Sequence, residues 1–314
     1  MKMKQRKTLM SKRQIVPGIY IEPRVIETTK GKIEYDLTDG GGPVVLAVHA
    51  GLGGVDQGRL VNDWLVKQGY RVLSSSRPGY LGTPLDSGRT FENQADLLAA
   101  LLDALHIKKV IVTSLSAGGP AAYIFAAKYP ERILALLTIS SVSGDYVMPE
   151  TVSPIGEVIV MSTPGQKVMG FFMNKLTRAF LSTALGGIGY LPKDKLKSYT
   201  EHVLHSPEKL AFMKGIMATM YPYSVRKAGN KNDMKQFRSM RPLPFDKIVC
   251  PTLVVHGTLD ADVKFYDGVR AYERIKGAEH YWIEGADHLG FWLSLEAEKV
   301  QAFALNFLEQ YAKN

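Results

Sequence analysis

Three residues far apart in the sequence have the types that hydroxyl-based catalysis needs: Ser116, Asp260 and His288. A serine hydroxyl is a poor nucleophile near neutral pH. A base must take its proton, a carboxylate must orient that base, and amides must hold the charge that forms on an attacked carbonyl. Ser116 stands in Ser114-Leu115-Ser116-Ala117-Gly118, where a β-branched apolar run turns into an alanine-rich helical pattern. Small neighbours permit a sharp strand-to-helix turn that lifts the hydroxyl above a sheet, and the following helix aims its free amides, Ala117 first, at the same point. His288 lies in a short glycine-containing loop, Glu284-Gly285-Ala286-Asp287-His288, and Asp260 follows His256-Gly257. Asp262 and Asp145 are the alternative carboxylates. His49-Ala50-Gly51-Leu52-Gly53-Gly54 offers backbone without side chains, with the Gly51 amide as a second donor to the oxyanion.

Each of these groups needs a strand end to stand on. Val44 to Val48, Arg71 to Leu73, Val110 to Thr113 and Ile133 to Ile139 are short apolar runs separated by helical patterns over Gln57 to Gln68, Phe91 to Leu105 and Gly118 to Tyr129. Strands that are apolar throughout, alternating with helices, predict an α/β fold whose mostly parallel sheet is covered on both faces. Such sheets bind ligands beyond the carboxyl ends of their strands, where Ser116 would sit. Gly18 to Thr28 and Lys32 to Leu37 read as a leading hairpin. From Asp145 to Phe245 the alternation stops and helices broken by Pro154, Pro164, Gly186-Gly187, Pro192 and Pro222 take over. It resumes with Pro251 to His256, Val269 to Lys276, Tyr281 to Ile283 and a closing helix over Ser294 to Tyr311. The expected organisation is a basic disordered arm over 1–13, a core made of 14–144 and 246–314, and a helical insertion over 145–245.

At 314 residues and 46% hydrophobic, the chain can bury a large core. Its net charge of +9 invites a nucleic-acid reading, but six of its 39 basic residues lie in the first 13, leaving 33 against 30 acidic. A near-neutral remainder without an aromatic-interleaved basic stripe argues against nucleic acid as a partner. The first thirty residues lack a secretory pattern, and no run reaches the length of a membrane span, so the expectation is a cytoplasmic protein without membrane insertion. One cysteine, Cys250, excludes a disulfide framework and multi-cysteine metal sites.

The sequence resembles the α/β-hydrolase fold family over nearly its whole length outside the basic arm and the insertion. Ser-Leu-Ser-Ala-Gly is similar to the G-x-S-x-G elbow, His-Ala-Gly-Leu-Gly-Gly to an H-G-G-P-G-G oxyanion loop, and Ser116, Asp260 and His288 follow in the family's order. The resemblance implies a Ser116–His288–Asp260 triad, an oxyanion hole from the amides of Gly51 and Ala117, and a helical cap inserted after the sixth strand. It ranks Asp260 ahead of Asp262 and Asp145. Ser114, Ala50 and Leu52 depart from the motifs, and Ser76-Arg77-Pro78-Gly79-Tyr80-Leu81-Gly82-Thr83 departs from the family's D-x-x-G-x-G-x-S turn.

The activity so implied is a cofactor-independent serine hydrolase, first of all a carboxylesterase working through an acyl-enzyme. A proline-iminopeptidase-like aminopeptidase, a carbon–carbon bond hydrolase and a non-enzymatic small-molecule receptor on the same fold remain as alternatives. Nine of the 12 methionines lie in the insertion, where they could form either its own core or an adaptable apolar wall for an acyl or alkyl group of a small-molecule substrate. His49 is expected to brace the oxyanion loop, and His256 to pack at a strand end. His202 and His205 lack a third ligand, so no metal site is expected. The basic run Arg226 to Arg241 reads as solvated surface.

Overall fold

The computed structural model describes the strand Thr8–Leu9 and residues 12–312. Its strands are Thr8–Leu9 (β1), Arg13–Val16 (β2), Ile19–Ile21 (β3), Arg24–Thr28 (β4), Gly31–Leu37 (β5), Val44–Val48 (β6), Arg71–Ser75 (β7), Val110–Leu115 (β8), Ile133–Ile139 (β9), Thr252–Gly257 (β10) and Glu279–Ile283 (β11). Nine of them form one sheet in the order β1-β4-β5-β7-β6-β8-β9-β10-β11, and β2 pairs with β3 alone. Pairing is antiparallel from β1 to β7 and parallel from β7 to β11. Every residue of β8 and of β10 is buried, which is what their unbroken apolar runs require of strands covered on both faces.

The helices between these strands are Val55–Val61 (α1), Asp63–Val66 (α2), Phe91–Ala104 (α3) and Gly119–Lys128 (α4). Between β9 and β10 lie Pro154–Val160 (α5), Thr163–Lys175 (α6), Thr177–Ile188 (α7), Lys193–His205 (α8), Pro207–Ala218 (α9) and Lys227–Phe237 (α10); the chain closes with Phe265–Arg274 (α11), Gly290–Leu293 (α12) and Ala297–Tyr311 (α13). Counted from β4, the inserted helices follow the sixth strand of the sheet. One face of the sheet packs on α3 and α4, with Leu97, Leu101, Tyr123 and Phe125 fully buried. The other packs on α1 and α13 and also receives Leu181, Leu185 and Val203 from α7 and α8. The insertion therefore shares the core of the sheet.

Local chemistry explains most boundaries. Ser153, Ser162 and Ser206 each cap a helix by accepting a hydrogen bond from the third helical amide, and Pro154, Pro164 and Pro207 sit in first turns, where no amide hydrogen is missed. Gly186-Gly187, expected to break a helix, lies inside α7, whose apolar face is fixed by Leu181 and Leu185. The stretch Gly18 to Thr28 is two strands, split at Pro23, which has no amide hydrogen to donate to a ladder. Part of the arm expected to be disordered is ordered: Thr8 and Leu9 pair with Val25 and Arg24, and Arg13 opens β2 and bonds Asp56 at 2.8 Å. Residues 1–7 and 10–11 of that arm lie outside the described residues. Cys250 is buried just before β10, and burial pushes its thiol up to about 11.

Candidate active site

The carboxyl ends of β6, β8, β10 and β11 bring four loops to one place. At the end of β8, Ser116 has φ 53°, the left-handed region that a side-chain-bearing residue enters at a cost. The turn is this tight because two glycines follow. A Cβ on Gly118 would lie 2.6 Å from the Val48 carbonyl oxygen, and one on Gly119 would lie 2.3 Å from that of Val142. Ser114, in the place of the first elbow glycine, exchanges a 2.9 Å hydroxyl hydrogen bond with Ser141.

His288 and Asp260 meet across the ends of β10 and β11. His288 Nδ1 is 2.8 Å from Asp260 Oδ2, while Asp260 Oδ1 accepts from the amides of Asp262 and Val263, both at 2.9 Å. Burial opposes the charge on Asp260, but His288 and His256 beside it hold the carboxyl below its ordinary range. Burial would likewise depress His288; the carboxylates of Asp260 and Asp262 overcome that and raise it to about 9. His256, expected to pack nearby, is buried with Nε2 2.9 Å from the Val263 carbonyl and 3.2 Å from Asp260 Oδ2. Asp262, the alternative acid, stands on the other side of the imidazole, with Oδ2 3.5 Å from Nε2 and Oδ1 accepting a 2.6 Å bond from the Tyr146 hydroxyl. Among the described residues no hydrogen bond joins Ser116 Oγ to His288, although both border the same cavity.

The His49–Gly54 loop is held from behind by charge. Gly51 faces Ala117, since a Cβ on the glycine would stand 3.7 Å from that of the alanine. His49 Nε2 accepts from the Arg77 amide at 2.8 Å, so the ring proton lies on Nδ1, which donates to the Ala50 carbonyl at 2.7 Å. Burial, then Arg77 and Arg226, push this imidazole well below its ordinary value, leaving a neutral brace. The Arg77 guanidinium also donates to the His49 and Ala50 carbonyls and grips Asp233 with two bonds of 2.8 and 2.7 Å. Tyr80 donates to the same Asp233 at 2.6 Å and is hydrogen-bonded to the Leu52 amide. Arg226 forms a second such pair with Asp56, at 3.2 and 2.7 Å, and donates to the Gly53 carbonyl. Here the expectation for Arg226 to Arg241 is overturned in part: Arg226 and Asp233 are buried counterions of Asp56 and Arg77 behind the His49–Gly54 loop.

Above Ser116 opens a cavity of about 700 Å³ lined by both the sheet loops and the inserted helices. Seven of the insertion's nine methionines border it, including Met148, Met161, Met213 and Met234, together with Phe172, Phe180 and Phe237. Met173 is buried in the core below instead. The insertion is tied to the His288 and Asp260 loops by backbone, through Ala261 and His288 amides to the Ile188 carbonyl at 3.1 and 3.3 Å. Among the described residues no cluster of three or more acidic, histidine or cysteine side chains could hold a metal ion. His205 is exposed and His202 half-buried against Tyr199. No helix among the described residues is long and apolar enough to cross a membrane.

The sequence pattern described as the alpha/beta hydrolase fold matches residues 43–295. The chain belongs to the α/β-hydrolase fold family. It is 33% identical to an alpha/beta hydrolase fold protein from Nakamurella multipartita, whose solved structure superposes with a TM-score of 0.86 over 91% of this chain and 98% of that one. It is 29% identical to the uncharacterized hydrolase YcgS of Bacillus subtilis (strain 168), over 89% of this chain and 95% of that protein. It is 26% identical to a 2-hydroxy-6-oxononadienedioate/2-hydroxy-6-oxononatrienedioate hydrolase of Klebsiella pneumoniae, over 87% of this chain and 89% of that protein. This α/β-hydrolase is accordingly a hydrolase of that fold, and its open question is the bond it cuts.

Of the residues that the sequence patterns single out, Ser116, His288, Gly51 and Ala117 border one cavity, and Asp260 stands behind His288 on Nδ1. Arg77 with Asp233, Tyr80 and Tyr146 were missed. Arg77 sits in a turn that resembles a family motif, but its partner lies 156 residues away, and only the lone acid inside a basic run hinted at a buried role.

Proposed function

We propose that this protein is a serine carboxylesterase that works through an acyl-enzyme, with Ser116 as nucleophile, His288 as base and acid, Asp260 as its orienting partner, and the amides of Gly51 and Ala117 as oxyanion donors. The observation that carries the reading is the left-handed turn at Ser116, which opens onto an apolar cavity shared with His288, itself bonded to Asp260. A chain holds a serine at positive φ only where its surroundings insist, and at a strand end such strain marks function.

The chemistry follows from where each proton can go. His288 Nε2 takes the Ser116 proton as Oγ bonds to the ester carbonyl carbon, and Asp260 steadies the imidazolium through Nδ1–H. The carbonyl oxygen, now negative, is met by the two amides. The carbon–oxygen bond to the alcohol then breaks, and Nε2 gives its proton to the departing oxygen. Water repeats the cycle on the acyl-enzyme: His288 takes one proton from it, the acid forms, and Ser116 regains its hydrogen. To reach Ser116, Nε2 must turn from Asp262, a short movement of the kind that substrate binding completes in many resting sites. Residues 145–245 serve as the cap, whose methionines and phenylalanines take the apolar acyl or alkyl part.

The curated relatives named for dioate substrates favour carbon–carbon bond hydrolysis as a second reading. Against it stands the cavity wall, which holds no lysine or arginine among the described residues to meet two carboxylates. The test is labelling with a fluorophosphonate, wild type against Ser116→Ala, with the adduct located by mass spectrometry, beside turnover of aryl esters of increasing acyl length and of a dienedioate. An adduct on Ser116 with ester turnover is expected. Turnover of the dioate alone would transfer the reading to carbon–carbon hydrolysis, and a folded wild type that does not label would favour the receptor.

A further inference from the structure

Apart from His288, the charged side chains that line the cavity among the described residues are acidic. The cavity's titratable wall residues are Glu157, Asp233, Asp262, His288 and the Tyr146 phenol. Asp233 is committed to Arg77 through two hydrogen bonds, and Glu157 is exposed on α5. Asp262 is neither. Its side chain is only 26% exposed, it borders the apolar cavity, and one oxygen is taken by Tyr146. Its other oxygen faces His288 Nε2, the nitrogen that must be free and uncharged when an ester arrives.

A carboxylate partly withdrawn from water is costly unless a cation meets it. In the resting site that cation is the His288 imidazolium. Once His288 has surrendered its proton and turned to Ser116, Asp262 has none, and it stands at the edge of the space where the scissile carbonyl must lie. The Tyr146 hydroxyl holds Oδ1, which leaves Oδ2 turned toward His288 Nε2 beside the cavity.

We propose that Asp262 is the receptor for a positively charged group of the substrate, an ammonium on the acyl carbon next to the scissile carbonyl, the remainder of the substrate being apolar. The inference rests on the serine-hydrolase reading of the same site. A class of substrate follows: esters of α-amino acids or of similarly placed amines. An acyl group carrying a carboxylate at that position meets Asp262 as a like charge and is rejected. Specificity of this kind comes as much from the repulsion as from the attraction.

The test compares two substrates of nearly the same shape, the 4-nitrophenyl esters of alanine and of isobutyric acid, in which an ammonium replaces a methyl. Because the two esters differ in intrinsic reactivity, the readout is the change in their kcat/KM ratio between wild type and Asp262→Asn, a substitution that keeps shape and the bond to Tyr146. The ratio is expected to fall by about tenfold or more, as for loss of a partly buried charge pair. An unchanged ratio overturns the inference while leaving the esterase standing. A binding measurement separates the two readings further. Ser116→Ala is titrated calorimetrically with the stable N-benzyl amides of alanine and of isobutyric acid. Tighter binding of the cationic amide, abolished by adding Asp262→Asn, supports the receptor even if no ester is turned over, and equal binding of the two sinks it.

Discussion

Arg77 and Asp233, 156 residues apart in sequence, meet through two parallel hydrogen bonds of 2.8 and 2.7 Å with both side chains 2% exposed. One end of this pair belongs to the turn after β7 and the other to α10, so it links the inserted helices to the loop that carries Gly51. The same guanidinium fixes two carbonyls of that loop. A buried pair with its remaining hydrogen bonds satisfied is expensive to halve.

Asp233→Ala, which strands the Arg77 charge, is expected to cost ~3–5 kcal/mol of stability, as removal of one partner from a buried pair does. Asp233→Asn should cost less, because it keeps an acceptor for Arg77 and Tyr80. Chemical denaturation of both variants measures this, and equal costs for the two would show that charge is not what the site requires. Exchanging both partners together for apolar residues should restore much of the stability but not the activity, since the carbonyls of His49 and Ala50 would lose their anchor.

In the proposed role of base His288 works only when it is unprotonated, and it is held up at about 9. With a neutral ester, kcat/KM of the wild type should therefore climb with pH toward a limb near that value. The charged and titratable groups around the ring are Asp260 and Asp262 from the loop after β10, Asp287 beside it, and Tyr146 and Tyr199 hydrogen-bonded to Asp262 and Asp287. Taking the negative charge from Asp262 removes a stabiliser of the imidazolium, so Asp262→Asn should displace the limb toward lower pH by roughly one pH unit. A limb that stays in place would mean that Asp262 does not face the ring in solution.

The central sheet was legible because its strands are apolar on both faces and its helices carry heptad-like spacing, as in Leu97, Leu98, Leu101 and Leu102. Motif residues were legible because sterics and chain order restrict them: only Gly fits at positions 118 and 119, with carbonyls 2.6 and 2.3 Å from a would-be Cβ. Asp262 was legible as a rival for Asp260. Its actual position on the opposite nitrogen was not, because two residues along a turn reverse the direction of a side chain. The methionine wall was an even choice in sequence, since a core and a cavity lining have the same composition until helices are packed. Buried charge was least legible: Arg226 reads as surface in a run of bases, and nothing local reveals that Asp56 waits 170 residues away.

The elbow should trade stability for function. Ser116→Gly removes the side chain that makes φ 53° unfavourable, a relief of ~1–2 kcal/mol, against ~0.4–1 kcal/mol lost through a looser unfolded chain. A small net gain in melting temperature relative to Ser116→Ala is expected, with turnover abolished in both. Gly118→Ala should do the opposite, because the clash is with the Val48 and His49 carbonyls, which cannot move without opening the sheet. Calorimetric scans of the three variants decide this. A Ser116→Gly protein less stable than Ser116→Ala would mean that the serine conformation is not strained.

Asp287, next in sequence to His288, is fully buried and its Oδ2 has no hydrogen-bond partner among the described residues. Burial, and then the nearby charge of Asp260, raise its carboxyl to about 7, while Oδ1 accepts from the Leu289 amide and more distantly from Tyr199. The linkage runs against alkaline stability. Below the ordinary carboxyl range both folded and unfolded chains are protonated there and nothing is lost. As pH rises toward 7 the unfolded chain ionises first, so folding must take up a proton and stability falls. Asp287→Asn, uncharged at every pH, escapes this. It should melt close to the wild type at pH 4 and above it at pH 8, with the gap opening between those values and levelling beyond about 7. Each kcal/mol so gained is worth ~2–4 °C in a chain of this size. A gap that is the same at pH 4 and pH 8 would assign the effect to packing rather than to the proton.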